Sequence, residues 1–186
     1  MTQADRVSAF DKFMKGKVSD ECRCELICKG FFTAPASTKY HGNYEGGLFD
    51  HSFAVVKFLV ELTEKNNLKW QRPESPYIVG MFHDLCKIDQ YRHPVVAEAA
   101  RLDGSIDYIT DENSWEYNPD VILKGHGEKS VMLLSQFYTL TEEEILCIRY
   151  HMELLRTKRS GEITLGRSIS TLTCCGHTMQ ICSLLM

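Results

Sequence analysis

The chain has 186 residues, 44% of them hydrophobic and 25% charged, with 21 basic against 25 acidic side chains and a net charge of -4. That composition excludes disorder as a general description, and the length suits one domain with a core of its own. The negative balance argues against binding duplex nucleic acid by bulk electrostatics, and no apolar run reaches the roughly 18 residues of a membrane span. The stretch up to Lys17 is polar and charged rather than secretory, so the eight cysteines are expected as reduced thiols in a cytoplasmic protein.

In chain order, residues 4–15 and 19–29 read as two short helices, the second opened by Ser19 as N-cap. Cys24 and Cys28 at i, i+4 fit an apolar face of that second helix, so buried thiols are expected there rather than a zinc knuckle. From Phe31 through Gly47 helical periodicity is missing, which predicts a long ordered loop of a kind that is often functional. Leu48 to Asn66 is helical, with Phe53, Val56, Phe58, Leu59 and Leu62 as its apolar stripe and Lys57, Glu61 and Lys65 opposite. Ser75 as cap and Pro76 in the first turn open a helix that runs to about Lys87. Residues 104–118, where Ile106 alternates with Tyr108 before Trp115 and Tyr117, predict a small hairpin. Gly127 to Tyr138 is helical again. Thr141 and Glu144 form a capping box opening a helix to about Met152, and capping with dipole complementarity accounts for the run Glu142-Glu143-Glu144. A charged connector over 153–163 and a last helix over 168–185 follow, with Cys174, Cys175 and Cys182 expected as tail core or exposed thiols. The fold expected is all-α, a compact helical bundle with a small β-hairpin insert, in a single domain over residues 1–186.

Chemistry concentrates at His83-Asp84. An imidazole and a carboxylate on adjacent helix positions diverge by about 100° yet still reach an ion close to the axis, and Lys87 follows His83 by one helical turn. Cys86, between them, is expected to point away. His51 stands near a helix start, His126 at another, and His151 at the end of the capped helix. Imidazole with carboxylate suits zinc, manganese, iron, cobalt or nickel, ions that lower the pKa of bound water and polarise a phosphoryl oxygen. His41 and Tyr44 precede His51 in the long loop and are candidates to line a substrate pocket. Lys129 and Arg149 are candidates for phosphate contact, and His93 has no assigned role.

The order of these residues resembles the HD-domain superfamily of metal-dependent phosphohydrolases, over about residues 31–152. Tyr40-His41-Gly42-Asn43-Tyr44-Glu45-Gly46-Gly47-Leu48-Phe49-Asp50-His51-Ser52 is similar to the first-histidine motif of small standalone members and of the HD-type 3′–5′ exoribonucleases. Phe82-His83-Asp84-Leu85-Cys86-Lys87-Ile88 resembles the defining motif. Gly125-His126-Gly127-Glu128-Lys129-Ser130 and Arg149-Tyr150-His151-Met152 resemble the two later histidine motifs of members with an enlarged, often two-metal site. The resemblance implies that His51, His83 and Asp84 hold a principal divalent ion. His126 and His151 would hold a second ion or contact the substrate phosphate. Asp84 and Lys87 are the implied catalytic pair, with Lys87 neutralising the phosphate beside the ion; magnesium joins the candidate metals.

The end of the chain departs from that family, which closes its site with an Asp on a late helix. No Asp follows Asp120, and residues 153–186 form an atypical C-terminal segment in which Glu153, Glu162 and His177 are the candidate replacements. Two functions are therefore carried forward. One is hydrolysis, by metal-activated water, of a phosphate ester in a small nucleotide or at a single-stranded nucleic-acid end. The other is a catalytically impaired module that binds metal or nucleotide. No membrane partner is expected, and the oligomeric state is left open.

Overall fold

A computed structural model describes residues 1–152; the connector and last helix expected over 153–163 and 168–185, with Glu153, Glu162, His177, Cys174, Cys175 and Cys182, lie outside the described residues. Helix α1 (Gln3–Phe13) starts from a capping box between Thr2 and Asp5, and α2 (Asp20–Cys28) starts where the Ser19 hydroxyl accepts the Cys22 N–H. Helix α3 (Gly47–Asn66) is the longest among the described residues, α4 (Ser75–Phe82) leads into a 3-10 turn at Leu85–Ile88, and α5 (Gly127–Leu134) and α6 (Glu142–Tyr150) follow. Between the turn and α5 lie β1 (Tyr91–Arg92), β2 (Val95–Ala100), β3 (Ile106–Thr110) and β4 (Glu116–Tyr117).

The expectation of an all-α bundle with one hairpin over 104–118 is overturned, because helices are joined by two antiparallel two-stranded sheets. Strand β3 pairs backwards with β2, so Asp103-Gly104 is the turn of that hairpin rather than its start. Tyr117 pairs with Tyr91, outside the expected 104–118 segment, closing β4 on β1. Strand β2 reads Val-Val-Ala-Glu-Ala-Ala and is exposed along its whole length. It therefore lacks the alternation of polar and apolar residues by which a strand is read from sequence.

The expected helix from Ser75 to about Lys87 also breaks. Helix α4 stops at Phe82, Asp84 has φ -102° and ψ 18°, and a 3-10 turn takes over. Ser75 is not the cap: it lies inside the first turn and its hydroxyl donates to Glu144 Oε1 at 2.9 Å. Helix α5 ends four residues before the expected Tyr138, although Tyr138 still donates its N–H to the Leu134 carbonyl.

The core forms around α3. Its buried face carries Leu48, Phe49, Val55, Val56 and Leu59, whereas Phe58, expected in that stripe, faces outward at 38% exposure. Phe32 sits between Phe10 and Phe49, with ring centroids at 5.4 and 5.3 Å, in the edge-on and tilted geometries that aromatic rings prefer. Helix α2 buries Cys22 and Leu26, so the expected burial of Cys24 and Cys28 is wrong by two positions, and both thiols are exposed. Burial drives the Cys22 thiol up to about 12, which leaves it as a small apolar side chain in practice.

The Thr141–Glu144 capping box is present, but the acidic run does more than cap. Glu144, fully buried, receives Arg72 Nε at 2.8 Å and Nη2 at 2.6 Å besides the Ser75 hydroxyl. The Glu143 carboxylate accepts the Gln71 N–H at 2.7 Å, while its burial pushes its pKa up. These contacts pin α6 to the chain leading into α4. Glu144→Ala is expected to cost about 3 kcal/mol, since it strips a part-buried guanidinium of its partner. The shift of the urea midpoint measures it.

Candidate metal centre

Four helix ends deliver one side chain each. His51 lies in the first turns of α3, which begins at Gly46 with φ 80°. Arg6 of α1 holds that end of α3 from the other side, its Nε and Nη2 donating to Asp50 at 3.1 and 3.0 Å, while the Tyr44 hydroxyl donates to the same carboxylate. His83 follows the last residue of α4, His126 precedes the first of α5, and His151 follows the last of α6. Asp84 sits in the break after α4. Helices α5 and α6 come together at Gly127, where any Cβ would collide with the Arg149 carbonyl oxygen. That close approach sets His126 against His151.

All four imidazoles turn Nε2 toward the Asp84 carboxylate. Oδ2 lies 3.4 Å from His51 Nε2 and 3.5 Å from His83 Nε2; Oδ1 lies 3.1 Å from His126 Nε2 and 3.4 Å from His151 Nε2. Within each pair the two nitrogens are equally close, 3.2 Å for His51 and His83 and 3.1 Å for His126 and His151. Two three-residue sets result, His51-His83-Asp84 and Asp84-His126-His151, sharing the carboxylate. His51, His83, Asp84 and His151 are buried, and His126 is partly so.

These spacings are those of donor atoms around a common ion. Metal–nitrogen bonds of about 2.0–2.1 Å at right or tetrahedral angles put neighbouring donors about 2.9–3.4 Å apart. The tautomers agree for two of the rings: His83 Nδ1 and His151 Nδ1 donate to the Gly80 and Ile148 carbonyls at 3.0 and 2.7 Å, leaving Nε2 lone pairs inward. Asp84 Oδ1 is buried, and no hydrogen bond is directed at it despite the nearby nitrogens. Two inward lone pairs on either side of a buried carboxylate suit a bound cation. The donor set, nitrogen and carboxylate oxygen, fits a first-row divalent ion.

Lys87 supplies the one ammonium at the cluster among the described ion pairs, with Nζ 2.8 Å from Asp84 Oδ2. The break in α4 changes its geometry: it reaches back from the 3-10 turn to Asp84 three residues earlier, not along a continuous helix face beside His83. Burial opposes ionisation of Asp84, but Lys87 and the imidazoles outweigh it and hold the carboxyl well below its ordinary range. Burial likewise disfavours a charged Lys87, and Asp84 reverses that, raising its pKa. Burial drives His83 well below the ordinary imidazole value, so it stands neutral, as a ligand must. For His126 burial is overcome by Asp84 and Cys86, which push it up to about 10, so its ring carries a proton that a metal ion would have to displace.

The other candidates scatter. The His41 ring lies 5.5 Å from that of His51, and burial, then His51 and Lys87, lower its pKa. Lys129 is buried and ion-paired with Asp89. Arg149 is turned outward to Glu128 at 3.2 Å and lies over the Tyr150 ring. Cys86 does not point away: its Sγ lies 3.2 Å from His126 Nδ1, filling the outer position that backbone carbonyls fill for His83 and His151. A lone thiol between Leu85 and Lys87 carries no signal of that role in sequence. Ser130 locks the arrangement, its hydroxyl accepting the Cys86 N–H at 3.0 Å.

A divalent ion bound here would stabilise the folded chain by mass action, by about 2.7 kcal/mol at one hundred times its dissociation constant. Thermal unfolding with manganese or zinc against a chelator is expected to show an upward shift of several degrees. No helix among the described residues is long and apolar enough to cross a membrane. Comparison with models of known protein families, with curated proteins and with solved structures returned no match.

Proposed function

We propose that this chain is a divalent-metal-dependent phosphohydrolase of the HD-domain type, acting on a phosphate ester of a nucleotide or of a nucleic-acid end. The observation that carries the reading is the Asp84 carboxylate, buried among four inward-turned Nε2 atoms with one lysine alongside. His51, His83 and Asp84 would hold one ion, and His126, His151 and the other oxygen of Asp84 a second. Such ions lower the pKa of bound water and polarise phosphoryl oxygens.

The chain's own groups supply the rest. Lys87 is held charged beside Asp84, where it offsets the negative charge that builds on the phosphoryl oxygens. Carbonyl acceptors on the outer nitrogens of His83 and His151 keep those rings in one tautomer and one orientation. His41, whose ring lies 5.5 Å from that of His51 and which is inclined to neutrality, would donate a hydrogen bond to a substrate oxygen rather than add charge.

The test uses the full chain stripped of metal, reloaded with manganese and offered a panel of nucleotides and a generic phosphodiester. The proposal expects release of product that needs metal and is lost in Asp84→Ala. A second reading, a metal- or nucleotide-binding module without turnover, is served by the same buried His/Asp cluster. Retained binding with no product across all metals and substrates would select it instead.

A further inference from the structure

The outer nitrogens of the four imidazoles are held unequally. His83 and His151 each face a backbone carbonyl three residues earlier in their own helix. His51 Nδ1 is buried without a hydrogen-bond partner, and His126 Nδ1 meets the Cys86 sulfur at 3.2 Å. Each candidate ion position therefore has one ring locked by its own helix, His83 in the first set and His151 in the second.

His126 has the least else to hold it. Its side chain is 34% exposed, against 3% or less for the other three rings. His51 lies inside α3, and His83 and His151 keep helical backbone angles. His126 has φ -124° and ψ -88° and follows Gly125 at φ 129°. A ring on irregular backbone at the edge of solvent keeps its rotamer freedom unless another side chain removes it.

Cys86 is placed to remove it. The residue is fully buried, and its N–H donates to the Ser130 hydroxyl at 3.0 Å. Ser130 in turn donates its own N–H to the His126 carbonyl at 3.0 Å, so Cys86 is tied to the same turn of α5 that His126 heads. Cys86 belongs to neither three-residue set, and its sulfur meets Nδ1 while Nε2 faces Asp84. The sulfur is thus a hydrogen-bond partner of the ring and not a ligand. Sulfur can accept the Nδ1 proton, and the thiol's own proton has the Asp84 backbone carbonyl at 3.8 Å. That arrangement leaves Nε2 for an ion.

We propose that Cys86 is a positioning residue for the second ion: its sulfur fixes His126 and so governs filling of the Asp84-His126-His151 half of the cluster, while the His51-His83-Asp84 half fills without it. The inference rests on the metal centre of the phosphohydrolase reading and not on turnover.

Manganese titration of the metal-free full chain, with free ion read by electron paramagnetic resonance, tests it without substrate. Manganese prefers oxygen and nitrogen donors over a thiol, so it reports the imidazole sets. The parent chain is expected to take up two ions. Cys86→Ala is expected to weaken the second about 10- to 100-fold, the usual cost of losing a ligand's outer partner, and the first by less than about threefold. Cys86→Ser, whose hydroxyl also accepts but on a shorter bond, is expected to fall between alanine and parent, and it carries the test if the alanine variant does not fold. Cys22→Ala controls for the loss of a buried thiol, since Cys22 is equally buried but on α2, and it is expected to bind both ions like the parent. A parent that takes up one ion or none, a second ion that binds the Cys86 variants as tightly as the parent, or equal weakening of both ions would overturn the proposal. Selective loss of the second ion in a chain that hydrolyses nothing removes the hydrolase reading alone. Metal-dependent hydrolysis with both affinities indifferent to Cys86 removes this inference alone.

Discussion

Asp84→Ala is expected to remove metal binding altogether and to lower metal-dependent hydrolysis by at least about 1000-fold. Both three-residue sets share this one carboxylate, so its loss takes a ligand from each. It also leaves the Lys87 ammonium, only 15% exposed, facing imidazoles with no counter-charge, and a positive ion would then have to enter against it. Asp84→Asn separates charge from size, since the amide fills the same space; it is expected to lose the metal as completely. Metal content after gel filtration and initial rates with manganese check both variants. A variant that still carries stoichiometric metal would show that the imidazoles alone form the site.

Gly80→Val is expected to destabilise the chain by about 3 kcal/mol and to weaken metal affinity at least tenfold. Gly80 is where α4 crosses α3: a Cβ there would stand 2.6 Å from Val56 Cα, a separation only a shift of the two helices can relieve. The same residue's carbonyl receives His83 Nδ1 at 3.0 Å, and His51 rides on α3. Moving the helices apart therefore moves His51 and His83 apart, and donor atoms must be held to fractions of an ångström. Denaturant unfolding gives the first effect and metal titration the second. Unchanged affinity in a folded, destabilised variant would mean that the metal pair does not depend on this crossing.

The long helix at Leu48 and the capped one at Thr141 were legible in the sequence because periodicity and a capping box are local signals. The placement of His51, His126 and His151 at helix ends followed from the same signals. The break after Phe82 was not legible: nothing in Phe82-His83-Asp84-Leu85 forbids a helix. The reason to leave it is tertiary, since Cys86 N–H donates to Ser130 on α5 and Asp84 meets His126. The sheets escaped for another reason. Strand β2 buries neither face, so the alternation that marks a half-buried strand never arises. Lys129 and Arg149 were candidates as charges near a helix start and a helix end, and each is engaged in an ion pair, with Asp89 and with Glu128. Charge in a sequence does not say which partner it will find.

The convergence of five side chains on one point is the central claim, and anomalous diffraction from crystals of the full chain soaked in manganese tests it most directly. The predicted result is a peak within about 2.3 Å of His51 Nε2, His83 Nε2 and Asp84, with a second such peak between Asp84, His126 and His151 if both ions bind. A difference map with no peak at the cluster, in crystals whose soak holds manganese well above millimolar concentration, would contradict the account.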